Sequence, residues 1–251
     1  MRYLFISVLL IALISCEKTK LAQKKEIDPA GKALVKVGYF SAYSTRNNFP
    51  VQLIIDTLKL GGLFTYGAVQ PGGEYYAVEP GTRTIKVSVP FINTKNDSLL
   101  LFSGSINLTA DARQTIMITD TAAKTEATLL NDDVTPPVGN LTSRAKFFNG
   151  IPNVGPVDLY VRTPSGVINP ATNIDYKKVS NSFEFPGIGN DTFQIVPAGQ
   201  PYTGFTSTNV ITTTIFITSV FGRNYTVVAR GYAGLLVTDT RRAQISLITT
   251  R

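Results

Sequence analysis

An internal repeat of about 107 residues is the feature that most constrains how this 251-residue chain can fold. Four landmarks recur in the same order in the two halves: Pro50 and Pro156, Pro80 and Pro186, Arg113 and Arg223, and Asp132 and Asp239. Solenoid repeats have periods of about 20–50 residues, so the longer period predicts duplicated domains. We place these domains at residues 33–138 and 139–251. The division falls beside Pro136-Pro137, because paired prolines cannot continue a sheet ladder.

Both halves carry the pattern of short β-strands. Residues 85–89 and 183–185 alternate apolar and polar side chains with the period of two that half-buried strands show. Residues 115–119 and 211–220 are rich in β-branched side chains, which favour a pleated strand over a helix. Glycine and proline turns separate these runs, and no long segment with helical periodicity follows residue 32. The sequence therefore predicts an all-β chain of two tandem β-sandwich domains, each of roughly seven or eight strands.

The segment Ala145–Val161, AKFFNGIPNVGPVDLYV, carries a family resemblance. It resembles the opening of the family called domain of unknown function 4397, in which a strand with a basic residue leads through a short loop to a Val-Asp-Val-Tyr strand. Phe185-Pro186-Gly187 and Tyr225–Val228 resemble a later turn and strand of that family, whereas Asn149 and Asn153 stand where its members often carry His and Asp. The resemblance implies tandem immunoglobulin-like β-sandwiches on bacterial surface or periplasmic lipoproteins. It implies no known activity.

The N-terminus has the parts of a bacterial lipoprotein signal peptide, at residues 1–15. Arg2 supplies a positive charge, residues 4–14 form an apolar run, and Leu13-Ile14-Ser15-Cys16 matches a lipobox. A run this short is below the roughly 20 residues that cross a bilayer core. We therefore predict cleavage before Cys16 and attachment of palmitate-like acyl chains to it, which together hold a protein on a membrane. The expected location is the cell envelope, at the outer membrane.

Residues 16–32 are predicted to form a lipidated cysteine and a flexible tether. Lysines, acids and few apolar groups follow Cys16, so little of this segment can be buried. No acidic cluster follows the cysteine, which leaves the membrane leaflet open. The formal net charge of the chain is +7, but the basic residues are dispersed and are not interleaved with aromatic residues. This distribution argues against a nucleic-acid partner.

The side-chain inventory excludes several catalytic classes. The chain has no histidine, so histidine acid–base catalysis and Ser-His-Asp triads are excluded. Cys16 is the single cysteine, and after lipidation it leaves no thiol nucleophile, disulfide framework or zinc-thiolate site. The sequence thus predicts a protein that is not an enzyme and that has no cofactor and no metal.

Three short motifs are candidates for a catalytic, a calcium or a phosphate site, but each favours an ordinary loop. Asp132-Asp133 offers two carboxylates, the groups that glycoside hydrolysis uses, but neighbours on a strand point to opposite faces. A solvated loop before Pro136 is the simpler interpretation. Asn131–Asp133 lacks the ligand spacing of a calcium loop. Gly187–Asn190 joins two β segments without a helix that could bind phosphate, so it predicts a turn.

Exposed aromatic rings are the main pointer to a binding role. Tyr75-Tyr76 and Phe147-Phe148 each place one ring on either face of a strand, so we expect one ring of each pair in the core and the other exposed to a sugar or partner chain. The absence of Trp removes the best stacking platform. Three triplets resemble a short bacterial O-glycosylation motif: Asp56-Thr57-Leu58, Asp97-Ser98-Leu99 and Asp120-Thr121-Ala122.

These observations favour a non-enzymatic, membrane-anchored envelope lipoprotein that presents β-sandwich domains for protein or glycan contact. The expected partners are the membrane, through the lipid on Cys16, and a protein or glycan that the sequence does not identify. The alternative is an accessory carbohydrate-binding lipoprotein of a polysaccharide-uptake system.

Overall fold

The structure is a computed structural model that describes residues 29–41, 50–90, 97–121, 124–187, 190–202, 209–216 and 220–251. These residues form 17 strands and no α-helix. Within this part of the chain, no helix is long and apolar enough to cross a membrane. The signal peptide, Cys16 and the tether as far as residue 28 lie outside the described residues.

The first nine strands form two sheets. The first inner sheet has the order β4-β1-β8-β9, with β5 also paired to β1, and the first outer sheet has the order β3-β2-β6-β7. The strands are β1 (Ala33–Tyr39), β2 (Val51–Ile55), β3 (Leu58–Phe64), β4 (Val69–Gln70), β5 (Tyr76–Val78), β6 (Gly81–Pro90), β7 (Asp97–Leu108), β8 (Arg113–Thr119) and β9 (Glu126–Asn131). The pairing of β1 with β8 is parallel, and the other pairings are antiparallel.

The last eight strands repeat this topology. The second inner sheet has the order β13-β10-β16-β17, and the second outer sheet has the order β12-β11-β14-β15. The strands are β10 (Ser143–Gly150), β11 (Val157–Thr163), β12 (Gly166–Ile174), β13 (Phe183–Phe185), β14 (Asp191–Pro197), β15 (Thr212–Phe216), β16 (Asn224–Arg230) and β17 (Gln244–Thr249). Again one pair, β10 with β16, is parallel. The all-β, sandwich-type fold predicted from the sequence is confirmed, whereas the division at residues 138 and 139 stays a prediction.

Each inner sheet packs on its outer sheet through a separate apolar core. The first core contains Val35 and Val37 of β1 and Leu53 of β2, all fully buried. The second core contains Phe147 of β10 and Phe193 of β14, also fully buried. Alternate residues of each strand supply these cores, as the period of two in the sequence requires.

A third apolar cluster joins the two inner sheets face to face. It consists of Phe40, Met117, Leu130, Phe148, Val228 and Ile248. The molecule is therefore a stack of four sheets in which the two inner sheets are covered on both faces. This explains why β8 and β16 read as almost continuous apolar and threonine-rich runs rather than as strict alternations.

The four central strands of the inner sheets run in one direction. At the middle of β1, the Lys36 ammonium contacts the carbonyl oxygen of Thr249, which is paired with Tyr225 near the start of β16. Just beyond the end of β1, the Phe40 ring faces the guanidinium of Arg230, at the end of β16.

We call the pole where these strands begin the tether pole, and the pole where they end the loop pole. The tether pole holds residues 29–32, 132–142 and 220–223, and the loop pole holds residues 151–156, 198–202 and 231–243.

The repeat landmarks agree with the topology except at one pair. Pro50 and Pro156 directly precede β2 and β11. Asp132 follows the end of β9, but Asp239 lies in the connection between β16 and β17 rather than after β17. The two aspartates are therefore not equivalent, and pairing them was wrong. The reason is that β8 and β9 are joined by six residues, 120–125, whereas β16 and β17 are joined by thirteen, 231–243.

Candidate functional site

A polar cluster closes the interface between the inner sheets at the tether pole. Lys36 is fully buried on β1, and its ammonium lies 4.6 Å from the centre of the Tyr75 ring. The Tyr75 hydroxyl donates to the Asp132 carboxylate at 2.8 Å and lies 3.1 Å from the Thr250 carbonyl oxygen. The Thr115 hydroxyl donates to the same carboxylate at 2.7 Å. Residues from both inner sheets thus meet around one ammonium and one carboxylate.

Burial opposes the charges of this cluster. It lowers the pKa of Lys36, although the nearby Asp132 carboxylate acts in the opposite direction. It likewise raises the pKa of Asp132, against the hydrogen bonds from Thr115 and Tyr75 and the attraction of Lys36. Burial and the Asp132 charge both raise the pKa of the Tyr75 hydroxyl. Desolvation therefore offsets much of the attraction between these two charges.

Asp133 belongs to a second cluster on the other side of the same connection. The Arg144 guanidinium donates to its carboxylate at 2.6 Å, and the Ser182 hydroxyl also donates to it. The Asn224 amide donates to the backbone carbonyls of Asp133 and Thr135, at 2.9 and 2.7 Å. Burial opposes the charge, but the hydrogen bonds prevail and hold the pKa of Asp133 below its usual range.

The expectation of a solvated loop at Asp132-Asp133 was therefore wrong. The two carboxylates point to opposite sides, as neighbours in an extended chain do, but each is bound by a different inner sheet. Asp132 is thus bound within the first inner sheet, whereas the bonds of Asp133 attach the connection to the second inner sheet. Among the described residues, no group of three or more His, Cys, Asp or Glu side chains is arranged to hold a metal ion.

Polar contacts also close the interface at the loop pole. The Tyr232 hydroxyl donates to the Asp120 carboxylate at 2.7 Å, and the Lys177 ammonium pairs with Glu126. Arg230 lies 5.0 Å from the centre of the Tyr66 ring, within the range of a cation–π contact. The interface is thus apolar in the middle and polar at both ends, which fixes the two sandwiches against each other.

The connection between β16 and β17, residues 231–243, exposes an apolar tip at the loop pole. The side chains of Leu236 and Val237 are 78% and 81% exposed. Leu235, beside them, lines two shallow clefts with Gly234; one of these clefts also reaches Thr213 of β15. Adjacent exposed apolar side chains in a loop are typical of a contact surface rather than of a core.

Several hydrogen bonds hold the base of this loop in one conformation. The Asn153 side chain both donates to the carbonyl of Ala233 and accepts from its amide, each at 3.0 Å. The Asp239 carboxylate accepts from the amide and the guanidinium of Arg241. Gly231 has a φ of 88°, and a Cβ there would lie 2.4 Å from the carbonyl oxygen of Arg242. The tip is therefore carried on an ordered base.

The aromatic pairs proposed from the sequence do not form an exposed platform. Phe147 and Phe148 are both fully buried, because β10 is covered on its two faces. Tyr75 is engaged with Asp132, and Tyr76 packs on the first core. The prediction that one ring of each pair is exposed to a ligand was wrong, since it assumed a sandwich with one solvated face on every sheet.

One aromatic pair lies on the outer face of the second outer sheet. Tyr160 of β11 points away from the second core, and its ring centre is 5.7 Å from that of Tyr202. The Tyr160 hydroxyl donates to the carbonyl of Gln200 at 3.1 Å. Both tyrosines are partly exposed, so this face offers aromatic surface beside polar strand residues.

The remaining sequence motifs are distributed over both poles. Cys16 lies outside the described residues, as do Ile188 and Gly189 of the predicted glycine turn. Asn149 is fully buried and its amide binds the Ile174 carbonyl, so its role is structural. Two of the O-glycosylation-like triplets can be located in full on the backbone, at the β2–β3 turn and at the start of β7. Ala122 of the third lies outside the described residues.

The repeat did not predict the exposed tip, because it pairs Asp239 with Asp132, which directly follows a strand. A usable signal was present, since Gly231 and Gly234 precede the tip and the interval before the last strand is long. Lys36 and Arg144 carried no such signal. A basic residue within an apolar strand looks the same whether it faces water or a second sheet.

Comparisons with solved structures return β-rich proteins at low similarity. The Bacillus anthracis TIE protein is 11% identical with a TM-score of 0.24; the match covers 81% of this chain, which spans about a third (34%) of that protein. Family 41 carbohydrate-binding modules from streptococcal virulence factors, described as recognising α-glucan, are 10% identical over 78% of this chain and 93% of theirs, with a TM-score of 0.27. A candidate cell adhesion protein from Bacteroides eggerthii is 10% identical over 89% of this chain and 96% of its own, with a TM-score of 0.27.

Such TM-scores do not establish a shared overall arrangement. No curated protein matches the chain. A family model does match, over residues 35–160, from β1 to β11. The chain belongs to the family described as domain of unknown function DUF4397.

Proposed function

We propose that this protein is a non-enzymatic lipoprotein of the cell envelope, anchored through Cys16, that presents its loop pole to a protein partner. The observation that carries the proposal is the position of Leu236 and Val237. They are exposed on an ordered loop at the pole opposite the one where the chain enters from the tether. A lipid-anchored body with this polarity points its apolar tip away from the membrane.

Aliphatic side chains at the tip favour a protein over a glycan. Leucine and valine bind by removing apolar area from water, whereas sugars are contacted through aromatic faces and hydrogen bonds. The carboxylates of Asp132 and Asp133, the pair that the sequence offered for acid–base chemistry, are instead bound by other residues of the chain. These features support a binding role in preference to a catalytic one.

Two measurements in intact cells test this proposal. Cys16→Ser should abolish incorporation of radiolabelled palmitate, and undiminished labelling would refute the anchor. A photo-crosslinking amino acid at position 236 should give a discrete higher-mass adduct that is absent when the same group is placed at position 58. Leu58 is a suitable control because it is a leucine that is also more than half exposed but lies at the tether pole. Equal adducts at both positions, or none at either, would contradict a contact site at the loop pole.

The second candidate function is carbohydrate binding, as in an accessory component of polysaccharide uptake. The Tyr160–Tyr202 pair on the outer face of the second outer sheet favours it. A glycan array probed with the lipid-anchored protein in detergent would test it. Selective binding that is lost in Tyr160→Ala but kept in Leu236→Ala would favour this candidate, and a blank array would favour the protein partner.

A further inference from the structure

We propose that the tether pole carries a second functional surface, which rests against the lipid headgroups of the membrane that holds the anchor. The surface consists of Val138, Leu141, Val220 and Phe221, with Arg223 at its edge. It rests on the proposed function, because it requires the chain to be anchored through Cys16. It goes beyond that function by assigning a contact to the face opposite the loop pole.

The four apolar side chains of this surface are exposed on two neighbouring segments. Val138 is 87% exposed, Leu141 61% and Phe221 51%. The segments are bonded to each other, since the Gly222 amide donates to the Thr142 carbonyl at 2.8 Å. The Ser143 hydroxyl also donates to the Val220 carbonyl at 2.7 Å. The apolar side chains therefore form one patch and are not scattered over the surface.

The patch is built on a fixed base. The Glu184 carboxylate accepts hydrogen bonds from the amides of Val138 and Gly139 and from the Thr142 hydroxyl, at 2.7, 3.3 and 2.9 Å. These bonds hold the backbone while its apolar side chains point outward. The charge of the same carboxylate is balanced by the Arg144 guanidinium, which lies 3.9 Å from it.

The path of the chain identifies the membrane as the occupant. The described residues begin at Pro29 at this same pole, where the Gly31 amide donates to Asp111 and the Asp111 amide donates to the Lys32 carbonyl. Twelve residues, 17–28, separate that point from the lipidated cysteine. Fully extended, these residues reach about 45 Å at most. Because the chain joins the folded part at the tether pole, this pole can meet the bilayer without any extension of the tether. Bringing the loop pole there would require the tether to run the whole height of the molecule.

The charges of the pole fit anionic headgroups. The Arg223 side chain is exposed two residues after Phe221, and Arg113 and Arg251 are exposed at the same pole. Of the acids near the tether, Glu79 is paired with Lys32, and Asp111 accepts from the Gly31 amide. Basic and apolar side chains on one face are the combination that binds the interfacial region of a bilayer containing anionic lipid.

Because the chain contains no tryptophan, one introduced ring can report on each pole. The lipidated protein is reconstituted into vesicles of phosphatidylethanolamine and phosphatidylglycerol, with and without brominated acyl chains. In Phe221→Trp, and in Val138→Trp as a second variant at a more exposed position, we expect a blue-shifted emission that brominated lipid quenches. The matched control is Leu236→Trp at the loop pole, whose emission should be neither shifted nor quenched.

The outcomes separate this inference from the anchor. Variants that float with the vesicles but show no quenching at either tether-pole position would overturn the headgroup contact and leave the anchor intact. A blue shift without quenching would also overturn it, because the patch would then be covered by protein. Variants that do not float with the vesicles would refute the anchor, and the headgroup contact with it.

Discussion

The guanidinium of Arg144 donates a hydrogen bond of 2.6 Å to the carboxylate of Asp133, at the point where the chain passes from the first sandwich to the second. The Ser182 hydroxyl donates to the same carboxylate, and the Asn224 amide holds the adjoining backbone. The connection between the sandwiches is therefore bound to the second inner sheet and does not act as a loose hinge.

Removing the Asp133 charge should destabilise the fold in a pH-dependent way. We expect Asp133→Asn to lower the free energy of unfolding at pH 7 by about 2 kcal/mol, within the range for hydrogen bonds to charged groups. The folded-state pKa of Asp133 is lowered. The stability that Asp133 contributes is therefore fully present above the pKa of an unfolded aspartate, about 4. It is lost as the pH falls below that value and through the folded-state pKa. Denaturant unfolding at a series of pH values measures this difference.

The control for this prediction is Asp175→Asn, since Asp175 is exposed and lies on a loop. A change within about 0.5 kcal/mol is expected there, as for surface substitutions in general. If Asp133→Asn costs the same at acid pH as at neutral pH, the ion pair does not contribute through its charge.

The interface between the inner sheets should be as sensitive to truncation as either sandwich core. Phe148 is fully buried in the cluster that joins the sheets. We expect Phe148→Ala to cost about 3–5 kcal/mol, because a large side chain is removed from a packed site. Leu58→Ala, at a side chain more than half exposed, should change stability by less than about 1 kcal/mol. Thermal unfolding of both variants compares them, and equal losses would mean that the inner sheets are not packed together in solution.

Much of the fold follows from local sequence pattern, because a strand that is half buried shows its period directly. Ile85 and Val87 of β6 face the first core, and Lys86 between them is less buried, as their alternation predicts. The stacking of the two sandwiches could not be predicted in this way. Phe147 and Phe148 look alike in sequence, yet one enters the second core and the other the cluster between the sheets.

The candidate sites were harder to predict than the strands, since exposure depends on what covers a segment. Cys16 has a motif and needs no fold to be recognised, and its lipidation stays a prediction. Leu236 and Val237 are ordinary aliphatic residues, and only the glycines before them and the length of the final connection distinguish them from a strand. Asp132 was expected in a solvated loop because the residues that bind it, Tyr75 and Thr115, are distant in sequence.

The base of the exposed loop should tolerate no side chain at Gly231. Gly231 and Gly234 both have positive φ, 88° and 81°, so alanine at either position carries backbone strain of about 1 kcal/mol or more. A Cβ on Gly231 would also lie 2.4 Å from the Arg242 carbonyl oxygen, whereas one on Gly234 would meet nothing within 4 Å. Gly231→Ala should therefore cost clearly more than Gly234→Ala in denaturant unfolding. Equal costs would show that the loop adjusts freely at its base.

The two hydrogen bonds of Asn153 should determine how often the exposed loop opens. Asn153→Ala removes both bonds to the backbone of Ala233, each worth about 1 kcal/mol. We expect faster amide hydrogen exchange at Ala233 and its neighbours, by roughly one order of magnitude or more, because local opening becomes less costly. Exchange in β1 and β8 should be unchanged, since the loop contributes nothing to the first core.

The matched control is Asn181→Ala, at an exposed asparagine on another connection, which should leave the loop as protected as in the parent protein. Faster exchange throughout the molecule would instead mean that Asn153 supports global stability, and unchanged exchange at Ala233 would mean that the tip carrying Leu236 is held by other contacts.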